Sequence, residues 1–331
     1  MFNKLHRPTD TLRSSWALGL AAFAGSLVAS AVWNERAEKR AEQRNPPLGH
    51  KINVDGVTLH YLDTGGLKPA VLLIHGNGVT SADMEISGLI DALKDRHRVI
   101  AFDRPGYGYS ERPRNKSWTP EEQADLFAKA LAQLKVETVV VLGHSWGTLV
   151  AVACALRHPQ LVNGLVLASG YYFPTVRLDV VVGSLAATPL LGEVMRRTIS
   201  PLIGRLMAPA AFAEMFAPMP IPERFSDRFP VSLSFRSTQL RASSEEASMM
   251  VPAARRLSSQ YGAILPPVTI IAGEGDQIVD FERQSKALHE AVPGSSLRLF
   301  PGVGHMVHYA ATAEIAGMID ELAAPRKPLA A

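Results

Sequence analysis

Residues 139–147 read VVVLGHSWG, and this stretch decides the fold. The apolar run Val139–Leu142 is typical of a buried strand. It is followed at once by a G-x-S-x-G pattern, Gly143–Gly147, and then by a helical pattern over Trp146–Leu156. A strand, a sharp turn and a helix in this order form a nucleophile elbow, whose glycines leave room for a strained serine with an accessible hydroxyl. Ser145 is therefore the candidate nucleophile.

Short apolar runs alternate with helical patterns on both sides of this motif. The predicted strands are Ala70–Ile74, Val99–Phe102, Leu165–Ala168, Val268–Ala272 and, more weakly, Leu297–Phe300. The predicted helices are Ser81–Leu93, Pro120–Leu134, Phe281–Ala291 and Met306–Leu322. Alternating apolar residues around Asp55-Gly56 predict a hairpin ahead of them. This alternation implies an α/β fold, with a mostly parallel sheet covered by helices on both faces.

Two polar residues follow later strands at the same edge of the predicted sheet. Asp276 ends the turn after Val268–Ala272, and His305 lies in a glycine-rich loop after the last strand. A serine hydroxyl needs a base within hydrogen-bond reach and a group that orients the base. The chain order serine, acid, histidine suits the nucleophile elbow. We therefore predict a catalytic triad of Ser145, Asp276 and His305, with Glu274 as the alternative acid.

An oxyanion hole is predicted beside the elbow. His75-Gly76-Asn77-Gly78 follows the strand Ala70–Ile74, and its glycines let the backbone approach a substrate closely. The predicted donors are the backbone N–H of Trp146, next to the nucleophile, and a second donor at Asn77. A plain turn is the alternative for this segment. His75 is expected to form a structural hydrogen bond.

Taken together, these motifs resemble the α/β-hydrolase superfamily, in its Abhydrolase-1 branch. The resemblance is carried by His75–Gly78, Asp103–Ser110, Gly143–Gly147, Gly273–Asp276 and Gly302–His305. It spans Lys51 to about Leu322 and implies an α/β-hydrolase fold, with Ser145 as nucleophile, Asp276 as acid, His305 as base and no cofactor. It also implies that the Asp103–Ser110 loop braces the site. Dehalogenase and epoxide-hydrolase relatives carry aspartate at the elbow, so their alkyl-enzyme chemistry is not expected here.

Residues 171–265 interrupt the alternation of strands and helices. The segment is rich in Ala, Leu, Met, Phe and Pro, and helical patches such as Leu190–Ile199 and Ala210–Phe216 replace strands. It leaves the sheet where open α/β sheets bind ligands, which predicts a helical cap. Extra packing helices without a substrate role are the alternative. The predicted core then comprises residues 48–170 and 266–331.

Serine at the elbow favours acyl transfer. We predict a serine hydrolase that cleaves a carboxylic ester, or a related acyl bond, of a small and largely apolar substrate through an acyl-enzyme. The predicted cap offers apolar side chains for such a substrate, unless they form its own core: Leu190, Leu191, Leu202, Ile203, Leu206, Met207, Phe212, Met215, Phe216, Met219, Met249 and Met250. The same triad would serve a C–C bond hydrolase, or a proline-iminopeptidase-like amidase using Glu193, Glu214 or Glu223. A ligand-binding protein without catalysis is the alternative from another class.

The N-terminal segment, residues 1–47, is predicted to contact a membrane. Residues 14–33 carry no charge, and twenty residues at about 1.5 Å per residue make a helix of about 30 Å. Trp16 and Trp33 bracket this run, as interfacial aromatic residues do. We predict a single-pass anchor, with a signal peptide cleaved near Ala29-Ser30-Ala31 and a soluble packed helix as alternatives. Residues 34–47 are expected to form a polar helical stalk or linker.

Composition excludes several other classes. The chain has 331 residues, of which 47% are hydrophobic and 20% charged, which excludes a disordered chain. Its one cysteine, Cys154, cannot form an intramolecular disulfide or a thiolate zinc site. Scattered basic residues and a net charge of +3 predict no nucleic-acid partner. No metal site is suggested by histidine spacing, and His308 is expected on the surface or beside the site.

Overall fold

The computed structural model describes residues 8–66, 69–175, 187–188 and 190–324, with side chains from residue 16 onward. Within these residues, eight strands form one sheet. The strands are β1 His50–Val54, β2 Val57–Asp63, β3 Ala70–Ile74, β4 Arg98–Phe102, β5 Val139–His144, β6 Val162–Ala168, β7 Val268–Gly273 and β8 Ser296–Phe300. Their order across the sheet is β1-β2-β4-β3-β5-β6-β7-β8. All the strands predicted from apolar runs are therefore confirmed.

The sheet is antiparallel at one edge and parallel over the rest. β1 and β2 form the predicted hairpin, with Asp55 and Gly56 both at positive φ in the turn. β2 pairs antiparallel with β4, and the strands from β4 through β8 pair in parallel. Because β3 and β5 are central and fully buried, the loops that follow them meet at one protected edge of the sheet.

Helices cover both faces of this sheet, and further helices precede β1 or lie between β6 and β7. They are α1 Pro8–Arg44, α2 Ser81–Ile86, α3 Leu89–Leu93, α4 Pro120–Gln133, α5 Gly147–Arg157, α6 Leu191–Arg197, α7 Ser200–Phe216, α8 Glu223–Arg228, α9 Val231–Ser234, α10 Ser237–Ser258, α11 Ala287–Ala291, α12 Val307–Ala310 and α13 Thr312–Ala323. On β5, Val139 and Val141 join the apolar core with α4 and α5, whereas Val140 and Leu142 join the core with α3 and α13. The predicted α/β-hydrolase fold is confirmed.

Two of the predicted helices are interrupted, and a third is continuous but changes its helical type. The helix predicted over Ser81–Leu93 is two short helices, because Gly88 adopts a left-handed φ of 82° between them. The helix predicted over Met306–Leu322 is interrupted at Ala311, whose φ of −115° and ψ of 35° lie outside the helical region. The helix predicted over Phe281–Ala291 opens with a π-helical turn before it becomes α-helical. Periodicity alone did not reveal these breaks.

The chain between β6 and β7 holds the helices α6 to α10, residues 191–258, which we call the helical insert. No strand forms between residues 190 and 264, as the lack of buried apolar runs predicted. The long helix α10 packs on α5, directly behind the elbow. Its buried face includes Gln239, Ala242, Glu246, Ala253 and Leu257, which recur at helical spacing. The expectations for residues 176–186 and 189 lie outside the described residues.

The N-terminal helix α1 runs without interruption from the apolar segment into the polar one. In the part of α1 whose side chains are described, the segment from residue 16 to residue 33 is largely exposed. The polar part instead packs against the insert, where Asn34 and Ala41 are buried and Glu38 accepts a hydrogen bond from the Ser237 N–H. Residues 34–44, expected as a stalk or linker, are therefore bound to the insert. By length and composition α1 is long and apolar enough to cross a membrane, a test that a signal sequence also passes.

Candidate active site

Ser145 occupies a sharp turn between β5 and α5. Its φ of 52° is left-handed, a strained conformation for a residue with a side chain, and its N–H donates to the Ala168 carbonyl at 2.9 Å. A Cβ at Gly147 would lie 2.5 Å from the Ile74 carbonyl oxygen and 2.6 Å from that of His75. Only glycine allows this approach of backbone to backbone, so the G-x-S-x-G spacing is a steric requirement of the turn.

The three residues of the predicted triad lie in one hydrogen-bonded line. His305 Nε2 is 2.9 Å from Ser145 Oγ, and His305 Nδ1 is 2.8 Å from Asp276 Oδ2. A carboxylate can only accept, so Nδ1 carries the proton and Nε2 is free to accept one from the serine hydroxyl. Asp276 is fixed in turn, because its Oδ1 accepts hydrogen bonds from the N–H groups of Ile278 and Val279. The alternative acid Glu274 is exposed and does not contact this line.

The predicted oxyanion residues border the same cavity as the triad. Asn77, Trp146, Ser145 and His305 all line a cavity of about 310 Å³. A Cβ at Gly76 would lie 3.0 Å from Ser145 Cβ, so the backbone of the loop after β3 runs directly against the serine. The Asn77 side chain is engaged elsewhere. Its Nδ2 donates to the Ser243 carbonyl of the insert at 3.1 Å, and its Oδ1 accepts from the Ser243 hydroxyl.

A buried ion pair joins the loop after β3, which carries Asn77, to the helical insert. Arg104, in the loop after β4, donates to the carbonyl oxygens of His75 and Gly76, each at 2.9 Å. Its guanidinium also pairs with Glu246 of α10, and both side chains are completely buried. The Glu246 carboxylate accepts a second hydrogen bond from the Tyr107 hydroxyl at 2.7 Å. Burial, together with the charge of Glu246, raises the pKa of Tyr107 well above its usual value.

Sequence reasoning missed Glu246. The loop Asp103–Ser110 was expected to brace the site, and Arg104 does so, but its partner lies 142 residues away in the insert. The signal that could have found it is periodicity, since Glu246 falls on the face of α10 that also carries Ala242 and Ala253. A carboxylate on an otherwise buried helical face requires a buried cation or donor.

The structural role expected for His75 is confirmed. His75 Nε2 accepts the Arg104 N–H at 2.9 Å, and Nδ1 is 2.8 Å from the Gly76 carbonyl oxygen. Burial is the main cause that lowers the pKa of His75 to about 3, and the charge of Arg104 adds to it. The ring is therefore neutral and helps to fix the loop that carries Asn77.

A second histidine cluster lies behind the triad. His308 was expected on the surface or beside the site, and the structure places it beside the site. His308 is fully buried, and its Nε2 donates to Asp83 Oδ2 at 2.9 Å. Its ring packs on that of His144, 4.4 Å between centroids, and His144 Nε2 donates to the His305 carbonyl at 3.1 Å. Burial and the neighbouring rings of His308 and His305 lower the pKa of His144 well below its usual value. Neutral His144 thus holds the backbone of His305.

Among the described residues, one group of side chains could hold a metal ion, namely Asp83, His144 and His308, whose ligand atoms lie within 4.8 Å of one another. Two of these groups already bond to each other, and the third bonds to the His305 carbonyl. The Nδ1 atoms of both histidines have no hydrogen-bond partner within the described structure. Sequence spacing could not reveal this group, because Asp83 and His308 are 225 residues apart.

The apolar residues expected to line a substrate pocket divide into separate groups. Met215 and Met250 line the cavity next to Ser145, as do Ala211 and Ala247. Phe212 and Phe216 instead pack with aromatic residues of the insert. A third group is exposed: Leu190, Leu191, Leu202, Ile203, Leu206, Met207 and Met219. The insert's apolar side chains are thus only partly available to a bound substrate.

Of the three acidic residues considered for an amine substrate, one lines the cavity and two lie outside it. Glu214 lines the cavity, whereas Glu223 is exposed outside it. Glu193 is held by Arg114, Arg196 and Arg197, and the hydrogen bond from Arg197 is the main cause that lowers its pKa to about 2. Only Glu214 is placed to meet a substrate amine.

Comparison with known proteins gives the family to which this chain belongs. The family model described as alpha/beta hydrolase fold matches residues 69–312. The chain belongs to this family.

Relatives within the family have different activities. The chain is 30% identical to a 2-hydroxymuconate semialdehyde hydrolase of Pseudomonas sp., over 86% of this chain and 96% of that protein. Its fold is shared by a bacterial membrane phospholipase A, with a TM-score of 0.64, 21% identity and coverage of 95% of this chain and 97% of the other. An esterase from Exiguobacterium antarcticum matches with a TM-score of 0.68 and 22% identity, over 83% of this chain and 99% of the other. The family therefore fixes a hydrolase class without fixing a substrate.

Proposed function

We propose that this protein is a serine hydrolase that cleaves a carboxylic ester, or a related acyl bond, of a small and largely apolar substrate. The observation that carries the proposal is the line from Ser145 Oγ through the His305 imidazole to the Asp276 carboxylate, with contacts of 2.9 and 2.8 Å, on the wall of a cavity. A hydroxyl, a base and an orienting acid in this arrangement are the groups that nucleophilic acyl transfer needs.

The proposed reaction proceeds in two halves. Ser145 Oγ attacks the substrate carbonyl while His305 Nε2 takes the hydroxyl proton, and Asp276 stabilises the resulting imidazolium. The backbone N–H groups of Asn77 and Trp146 donate to the oxyanion. The tetrahedral intermediate collapses, His305 returns the proton to the leaving alkoxide, and an alcohol departs. Water, deprotonated by the same imidazole, then attacks the acyl-enzyme and releases the acid and the free serine.

The lining of the cavity supports an apolar acyl group. Ala211, Met215, Ala247 and Met250 face the space next to the serine, and methionine side chains adapt to irregular apolar ligands. We propose that the helical insert acts as the cap of this site, because it supplies these side chains and is joined to the oxyanion loop through Asn77 and Ser243.

Hydrolysis of a C–C bond is the second candidate function. It is favoured by the 30% identity to a 2-hydroxymuconate semialdehyde hydrolase over nearly the whole of that protein. Amide cleavage is supported by Glu214 alone among the acidic residues considered.

The test uses full-length protein in detergent, a series of p-nitrophenyl esters of increasing chain length, aminoacyl amides and a vinylogous 1,5-diketone. We expect ester turnover to exceed the other two, and a fluorophosphonate probe to label Ser145. Ser145→Ala should abolish turnover and labelling, while Ser248→Ala, at an exposed serine of the insert, should retain both. Labelling that persists in Ser145→Ala would refute the nucleophile, and absence of both turnover and labelling in the wild type would favour a ligand-binding protein.

We also propose that residues 14–33 anchor the protein in a membrane as a single span. The support is that the described side chains of this segment are largely exposed, while the rest of α1 is tied into the insert at Asn34, Glu38 and Glu42. Extraction of membranes with carbonate tests the anchor, and the mass of the purified chain tests cleavage of a signal peptide. A chain that begins after Ala31 would refute the anchor.

A further inference from the structure

The helical insert carries an apolar face that no described part of the chain covers. Leu191 and Val194 of α6 and Leu202, Ile203, Leu206 and Met207 of α7 form this apolar face, and all six side chains are exposed. Leu206 is 83% exposed, although leucine is among the residues most often buried. Single exposed apolar residues are ordinary on a protein surface, but a group on consecutive helices marks a site of contact with a partner or a membrane.

The apolar face adjoins the point where α1 changes from apolar to polar. Ser30 Oγ donates to the Thr198 carbonyl, between α6 and α7, at 2.8 Å, and Asn34 Nδ2 donates to the same oxygen at 2.9 Å. Arg205 of α7 donates to Asn34 Oδ1 at 2.9 Å and lies 5.0 Å from the Trp33 ring. These contacts fix the last apolar turn of α1 against the helices that carry the apolar face.

The position of Trp33 gives the level of the membrane surface. If the span proposed above crosses the bilayer, Trp33 lies at its interface, where indole rings are favoured. Helices bound directly to this turn then lie at the same level. Arg36 and Arg40, both exposed, follow on α1 and are placed to meet lipid headgroups.

The apolar face also leads towards the catalytic serine. On α7, Met207 is followed four residues later by Ala211 and eight residues later by Met215, so these three residues lie within about 80° of one another around the helix. Ala211 and Met215 line the cavity that holds Ser145. One helix thus presents apolar side chains both to the outside and to the active site.

We infer that the apolar face of α6 and α7 docks on the lipid bilayer beside the α1 span, so that acyl lipids enter the Ser145 cavity from the membrane. This inference rests on the proposed anchor and names the substrate class of the proposed hydrolase. The occupant of the face is the apolar and headgroup region of the bilayer, because the face continues the surface of a helix of membrane-spanning length.

The test measures how deep single positions lie in vesicles. The native Cys154 is buried, so a cysteine introduced at an exposed site can be labelled selectively. We would label Leu206→Cys with the fluorophore NBD in the full chain, reconstitute it in phosphatidylcholine and phosphatidylglycerol vesicles, and measure quenching by doxyl lipids. Phe23→Cys, in the α1 span, reports on the anchor. Leu265→Cys is the matched control. Leu265 is 77% exposed and lies just before β7, at the edge of the sheet where the parallel strands begin, opposite to the edge that carries Ser145.

We expect NBD at 206 to shift to the blue and to be quenched at least threefold more by shallow doxyl lipids than NBD at 265. Quenching at 23 but not at 206 would overturn the docking while leaving the anchor in place. Quenching at neither position would overturn both. A blue shift at 206 without quenching by doxyl lipids would assign the face to a second copy or another protein, and would also overturn the inference.

Discussion

Replacement of Glu246 by glutamine tests the coupling between the helical insert and the loop that follows β3. The wild-type carboxylate accepts from Arg104 Nη1 and Gln123 Nε2 on one oxygen and from the Tyr107 hydroxyl on the other. A glutamine keeps the shape but replaces one acceptor oxygen by an NH₂ group. Glu246→Gln therefore leaves the Arg104 guanidinium buried without its carboxylate, and leaves one donor without an acceptor.

The expected cost follows from burial. Arg104 and Glu246 are both completely buried, and removal of one partner of such a pair costs about 3–5 kcal/mol of unfolding free energy. Glu245 is the matched control, because it is the next residue in the same helix and also pairs with an arginine, Arg112. Its side chain is 34% exposed, so we expect Glu245→Gln to cost at most about 1 kcal/mol.

The assay is urea unfolding of the detergent-solubilised full chain, followed by tryptophan fluorescence. Trp146, buried beside the ion pair, is a suitable reporter, since its ring lies 4.7 Å from the Arg104 guanidinium. The double variant Arg104→Met/Glu246→Met should recover much of the stability, because neither charge is then buried alone. A loss below about 1 kcal/mol for Glu246→Gln, or a loss equal to that of Glu245→Gln, would refute the role assigned to the pair.

Three further predictions concern the site itself. Asp276→Asn should lower kcat by up to about 10⁴-fold in ester assays, because Asn no longer favours the tautomer in which His305 Nε2 accepts the serine proton. Gly147→Ala should abolish activity and lower the unfolding free energy by about 1–3 kcal/mol, because the new methyl group meets backbone oxygens. Gly317→Ala is the control, because Gly317 lies in open space within α13. This second variant should raise the unfolding free energy by about 0.5–1 kcal/mol in the same urea titration. Below pH 6.5, His75 should lower the unfolding free energy of the wild type by about 1.4 kcal/mol per pH unit. The reason is that the ring binds a proton in the unfolded chain but not in the folded chain, where its pKa is lowered to about 3. Urea titrations from pH 7.5 to 5.0 measure this slope, and His75→Gln should reduce it.

Each of these predictions has an outcome that contradicts it. An Asp276→Asn variant with kcat within tenfold of wild type would show that another group orients His305. A Gly147→Ala variant as stable and active as Gly317→Ala would mean that the elbow is not tightly packed. A pH slope that is the same in His75→Gln as in the wild type would mean that His75 does not titrate differently in the folded and unfolded chains.

Much of this molecule follows from local sequence. The buried runs at β3, β5 and β7 are continuous in the chain, and a strand covered on both faces needs only such a run. The elbow at Ser145 can also be recognised locally, because its G-x-S-x-G pattern stands directly between an apolar run and a helical pattern. The packing that requires Gly147 is not local, since a Cβ there would meet the carbonyl oxygens of Ile74 and His75. Since parallel strands end at one edge of the sheet, the places of Asp276 and His305 after β7 and β8 were enough to predict that both lie near Ser145.

Tertiary structure decided what depends on pairs far apart in the chain. Nothing near Arg104 in sequence indicates Glu246, and nothing near His308 indicates Asp83, since each pair forms only when separate elements pack together. The docking of α1 at Asn34 likewise depends on the position of the helical insert. Apolar patterning specifies which faces are buried, but the partner of a buried charge is set by the three-dimensional packing that removes it from water.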